Sequence, residues 1–131
     1  MLFNLGDNMA DVDVEATKKL YTERIEAYRL CYCSSCRNYQ ERIRRISPTA
    51  ARFFASLGVV PDKAEEVWAY LPGKAPFTQQ YSCVFPLVCN SAQINSHQSY
   101  TEIEEGLLAG FELIEGEAVL VVDWTLRWVH P

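Results

Sequence analysis

The stretch from Ala118 to Val129 alternates without a break. Leu120, Val122, Trp124, Leu126 and Trp128 fall on one side of an extended chain, and Val121, Asp123, Thr125 and Arg127 on the other. A period of two marks a strand with one buried and one wetted face, so this segment has to lie in an antiparallel sheet with something covering its apolar side. Leu107 to Ile114, joined to it through Glu115-Gly116-Glu117, reads as its hairpin partner. Tyr81 to Cys89 is also β-rich, and Pro86 is expected to confine it to an edge or a bulge, because proline donates nothing to a ladder. Asn90 to Tyr100 is polar and reads as a loop.

The first half has helical signals. Ser34 or Ser35 can cap a helix running through Arg45, with Tyr39, Ile43 and Ile46 on its inner face. Ser47-Pro48 starts a second helix, since proline suits the first helical position and serine the one before it. Phe53, Phe54 and Leu57 give that helix an apolar face, and Gly58 ends it. A third, short helix is expected from Asp62, burying Val67, Trp68 and Tyr70 and stopping at Leu71-Pro72-Gly73-Lys74. Residues 18–30 fit helix and strand alike. Residues 1–15 hold four carboxylates and little periodicity, and are expected to fray. Helices first and strands later define an α+β fold: a helical N-terminal half packed on a small, mostly antiparallel sheet formed by the C-terminal half. One domain is expected over residues 1–131.

Hydrophobic residues at 49% and charged residues at 22% exclude wholesale disorder. The opening Met1-Leu2-Phe3-Asn4-Leu5 has no basic region ahead of an apolar run, so it does not read as a secretory signal. No apolar stretch is long enough to span a membrane. Five cysteines, an odd number, read as reduced thiols in a cytoplasm. The net charge of −5 is unevenly spread. Lys18 to Arg52 carries nine basic residues against three glutamates, whereas Phe53 onward carries three basic and ten acidic. Such polarity suits a nucleic-acid face, two surfaces that attract each other within a dimer, or a solvated helix with local pairs.

Three cysteines sit within six residues, Cys31-Tyr32-Cys33-Ser34-Ser35-Cys36. A structural zinc site needs four ligands, and Cys31, Cys33 and Cys36 can supply three, with Cys89, Cys83 or His97 as the fourth. A thiol redox pair would use Cys33 and Cys36 alone, with a helix N-terminus and Arg37 favouring a thiolate. Ordinary packing in a reduced cell is the third reading. Arg37, Arg42, Arg44, Arg45 and Arg52, with Tyr39 interleaved, form a candidate nucleic-acid face: guanidinium groups grip phosphates and a tyrosine stacks a base. Against that reading stands the sequence pI near 5.0. His97 and His130 are the only histidines, one in a polar loop and one beside the last residue. No nucleophile elbow, phosphate-cradling glycine loop or His-Glu-x-x-His occurs, and Trp68, Trp124 and Trp128 read as core.

At Cys33-Ser34-Ser35-Cys36-Arg37-Asn38-Tyr39 the chain resembles small uncharacterised bacterial and phage proteins with a Cys-x-x-Cys-Arg-Asn-Tyr element. Phe53 to Val59 running on to Pro61, Glu66 to Tyr70, and Phe85 to Cys89 are similar to the same group. So is Trp124 to Val129, although the group would have proline where this chain has Arg127. The resemblance implies one small α+β domain and carries no activity, cofactor or catalytic residue. The expectation is therefore a cytoplasmic binding protein with an unidentified protein partner and a zinc site at Cys31, Cys33, Cys36 and Cys89. The alternatives are a nucleic-acid module on the Arg37–Arg52 face and a thiol redox protein using Cys33 and Cys36.

Overall fold

The computed structural model describes residues 1–24, 33–72 and 78–128. Among them the chain runs β1 (Leu2–Leu5), β2 (Asn8–Val12), α1 (Val14–Thr22), α2 (Ser34–Ile43), α3 (Pro48–Leu57), a 3-10 turn (Pro61–Lys63), β3 (Glu66–Pro72), β4 (Thr78–Pro86), β5 (Cys89–Gln93), β6 (Thr101–Glu104), β7 (Leu107–Ile114) and β8 (Glu117–Arg127). Two antiparallel sheets result, one of three strands in the order β1-β2-β5 and one of five in the order β3-β4-β8-β7-β6. The mixed α and β content stands as expected, but the division into a helical first half and a stranded second half does not. Strands open the chain, because Gly6 at φ +59° turns Leu2–Leu5 back onto Asn8–Val12. That hairpin occupies the segment expected to fray, and Asn8, Ala10 and Val12 are buried on its inner side.

The alternating segment is the central strand β8, paired with β7 and β4. Its hairpin with β7 closes through Glu115 and Gly116, both at positive φ, the geometry that matches strand twist. Leu120, Val122 and Trp124 face inward and meet α3, whose Phe54 stacks on Trp124 at 5.6 Å and touches Phe85 at 5.3 Å. Tyr39 and Ile43 of α2 and Ala50 and Leu57 of α3 complete this layer. Each large apolar side chain removed from water there contributes about 1.5–3 kcal/mol. Ser47 caps α3, with Pro48 in its first turn and Gly58 left-handed after its last residue, as expected.

Three local expectations are overturned. The helix from Asp62 is only a 3-10 turn, and Glu66–Pro72 is an edge strand with Trp68 and Tyr70 exposed. An edge strand needs only one buried side, so its aromatic residues stay in solvent. β4 is an interior strand rather than an edge, which Pro86 permits because it is the last residue of the strand. Asn90–Gln93, expected as loop, joins Cys89 in the third strand of the small sheet, Cys89–Gln93. Of residues 18–30, the part up to Thr22 is helical, with Tyr21 buried and its hydroxyl donating to the Pro86 carbonyl at 2.9 Å. The remainder from residue 25, together with Cys31, the stop at Gly73-Lys74 and His130, lies outside the described residues.

Candidate functional site

The cysteine cluster leads into α2, whose N-cap is Cys33 rather than Ser34 or Ser35. The Cys33 sulphur accepts the Cys36 N–H at 3.3 Å, doing for the helix start what a serine hydroxyl usually does. Cys33 is exposed and Cys36 half-buried against the core. Below them, Tyr81 donates to the Ser35 carbonyl at 2.6 Å and accepts from Asn38 at 3.2 Å. Burial pushes the Tyr81 hydroxyl up to about 12 against the Asn38 hydrogen bond, and the sulphurs of Cys36, Cys33 and Cys83 add to the rise. Cys83 is fully buried beneath this group, its thiol pushed up to about 12 by burial, with Tyr39 hydrogen-bonded to it.

Cys89 does not join them. It sits in β5 beside Glu117 and Ala118 at the start of β8, whereas α2 docks on the far end of β8, Asn38 donating to the Arg127 carbonyl. Tyr81 is paired with Trp124, so the two positions are separated by roughly 20 Å of strand at about 3.3 Å per residue. His97 is engaged elsewhere, 2.8 Å from the Glu112 carboxylate. Among the described residues no three histidine, cysteine, aspartate or glutamate side chains gather to hold a metal, and Cys31 lies outside them.

The arginine face is also divided. Arg37, Arg44, Arg45 and Arg52 are exposed, but Arg42 donates to the carbonyls of Arg127 and Trp128 and so fastens α2 to β8. Tyr39, expected to stack a base, is fully buried, edge-on to Tyr81 at 5.3 Å, with its hydroxyl on the Pro61 carbonyl. The surface keeps its phosphate-gripping groups and lacks its stacking ring.

The other side of the five-stranded sheet was not anticipated as a site. α2 and α3 pack on the inner face only. One end of the outer face is covered by residues 94–100, and three features hold that segment down. The buried Asn8 amide donates to the carbonyls of Ser96 and Phe111 and accepts the N–H groups of Asn95 and Ser96. Glu112 accepts the Gln98 N–H at 2.5 Å as well as the His97 contact. Gly110 lets the Tyr100 ring lie against the strand, where a Cβ would collide with the ring and the Ser99 carbonyl. Under this cover Val84, Val119 and Val121 form a small second core with Tyr100.

Beyond the cover, no helix among the described residues lies over the face. The register lines up Trp68, Ser82, Asp123, Leu108 and Glu102 in one row across all five strands. Trp68 is 59% exposed, Tyr70 55% and Leu108 37%. Tyr70, Leu108, Asp123 and Glu102 line a depression of about 320 Å³, and among the described lining residues the formal charges are the carboxylates of Asp123 and Glu102. Burial raises the Asp123 carboxyl above the usual aspartate value, against a hydrogen bond from Ser82. Burial raises the neighbouring Tyr100 hydroxyl to about 12, with the charges of Asp123 and Glu112 and the nearby Tyr70 adding to it. The alternation of β8 already placed Asp123 on the wetted side. Its companions come from other strands, Trp68 from as far away in sequence as β3, and pairwise register was the missing signal. No protein-family model matches the chain, and neither the curated proteins nor the solved structures contain a match to it.

Proposed function

We propose that the protein is a binding protein whose recognition surface is the uncovered part of the outer sheet face, centred on the row through Asp123. The observation that carries this reading is the exposure of Trp68 and Tyr70 on β3 and of Leu108 across β4 and β8 from them, on a face that no helix among the described residues covers. Large aromatic residues held on rigid strands are the groups that anchor interfaces, because they bury much area at little entropic cost. No helix among the described residues is long and apolar enough to cross a membrane. A photo-crosslinking amino acid placed at Trp68 or Leu108 is expected to give discrete adducts in the source cell, and one at Arg52 none. Adducts at Arg52 alone would overturn the reading in favour of the basic helical face.

One observation favours a second reading, thiol exchange at Cys33 and Cys36. The Cys36 N–H directed at the exposed Cys33 sulphur stabilises negative charge there, and the helix start adds to it. Alkylation at mildly acidic pH is expected to label Cys33 first under this reading, while buried Cys83 stays unlabelled until denaturant is added. Equal and slow labelling of Cys33 and Cys89 would sink it.

A further inference from the structure

We infer that the depression around Asp123 receives the cationic side chain of a lysine- or arginine-bearing segment of a partner protein. The inference rests on the reading of the outer sheet face as the binding surface and names what that surface recognises. Asp123 sits at the centre of the sheet, on its middle strand, between Ser82 and Leu108. Among the described residues no Lys, Arg or His side chain is within ion-pair distance of it. A half-buried carboxylate costs desolvation energy that the hydrogen bond from Ser82 offsets only in part, and a bound cation would offset the remainder. Glu102 adds a second carboxylate to the depression, and Glu112 stands two rows further along the same face, under the loop.

The walls select the kind of cation. Tyr70 and Leu108 line the depression with aromatic and apolar groups, Tyr100 lies near enough to feel the Asp123 charge, and Trp68 stands across Ser82 from the carboxylate. Aromatic rings attract cations through their quadrupoles, and the methylene stem of lysine or arginine is itself apolar. An inorganic cation has no apolar stem to lay against such walls, and an anion would be repelled. The excess of carboxylates from Phe53 onward adds long-range attraction for a basic segment. A volume of about 320 Å³ suits one long side chain rather than a folded domain, so the partner offers an extended or protruding segment.

The test is an NMR titration of the full chain with a capped glycine peptide bearing two arginines and two lysines. The same peptide with glutamines in those positions is the control. The expected result is saturable movement of the Trp68 indole N–H and Leu108 methyl resonances with the cationic peptide only. Affinity is expected to fall with added salt and to weaken about tenfold or more in Asp123→Asn, the worth of one lost charge-assisted contact. Trp68→Ala, a change at an exposed position, is expected to weaken binding without unfolding the chain. Equal binding of the glutamine peptide, or an unaffected Asp123→Asn, would overturn the inference. So would concentration-dependent shifts of the protein alone that vanish in Arg44→Ala/Arg45→Ala, which would make a second copy the occupant. Crosslinks at Trp68 and Leu108 with no response to the cationic peptide would remove the cation and leave the surface; absence of both would remove both.

Discussion

Asp123 shows how a single residue can be placed at a cost to the fold. Its carboxyl titrates above the ordinary aspartate value because burial disfavours the charged form. The sign follows from proton counting. Above the unfolded value near 3.8 the folded chain holds its proton longer than the unfolded chain does, so stability falls as pH rises through the window between the two values. Melting temperature against pH should therefore decline across that window in the native chain. In Asp123→Asn the decline should be weaker and the neutral-pH melting temperature higher; a lower one would contradict the burial argument. A more stable variant that binds less well is the pattern expected where a residue is kept for recognition. The residue scale is also where the sequence was least legible. Cys33 as the cap of α2 was not read from the sequence, which offered Ser34 or Ser35, whereas the periodicity that set Tyr39 on the inner face of α2 stands in the structure.

At the scale of elements, legibility followed the strength of the local code. Ser47-Pro48 and Gly58 fix both ends of α3 by backbone chemistry that needs no tertiary partner, and both stand in the structure as read. The alternation of β8 and its turn were equally readable, because a buried face leaves one register open. β3 was misread, since Val67, Trp68 and Tyr70 offer a helix as good a face as a strand, and only pairing with β4 decides. Ser47→Ala should cost about 1 kcal/mol, the usual worth of an N-cap. Here the hydroxyl also donates to the Glu104 carboxylate, tying α3 to β6, so amide exchange should quicken in both elements. Exchange quickened in α3 alone would show that the link to β6 carries nothing. Gly110→Ala should destabilise by about 1–3 kcal/mol through overpacking. It should also displace Tyr100 and the covering segment, read as new exposure of Tyr100 in its fluorescence or ring resonances.

Across the whole molecule, charge and cover are arranged on opposite sides of one sheet. Arg37, Arg44, Arg45 and Arg52 are exposed on the helical side, and the aromatic row with its carboxylates lies on the other, where Arg127 alternates onto the same side of β8 as Asp123. The sequence showed the charge asymmetry as a difference between segments; the fold turns it into a difference between faces. The candidate site was not legible, because its residues are contributed singly by five strands. What was legible was the class of structure, a sheet with one side sealed by helices. The small β1-β2-β5 sheet escaped notice because Asn90–Gln93 is polar and exposed, and it is Asn8 that anchors the covering segment.

The strand order has a consequence in time. β8 lies between β4 and β7, yet it is the last of the eight strands to leave the ribosome. Until it arrives, β4 has one open edge, β7 has another, and the apolar faces of α2 and α3 have an incomplete sheet to rest on. Open edges beside apolar surface are templates for pairing with other chains. Nascent chains stopped before Glu117 should therefore be aggregation-prone and chaperone-bound, whereas chains released after Arg127 should become soluble abruptly. A gradual gain of solubility with each added strand would show that the sheet assembles without waiting for its centre. The short, two-residue turn at Glu115-Gly116 shortens the exposed interval, because it delivers β8 to β7 as a hairpin within microseconds of its synthesis.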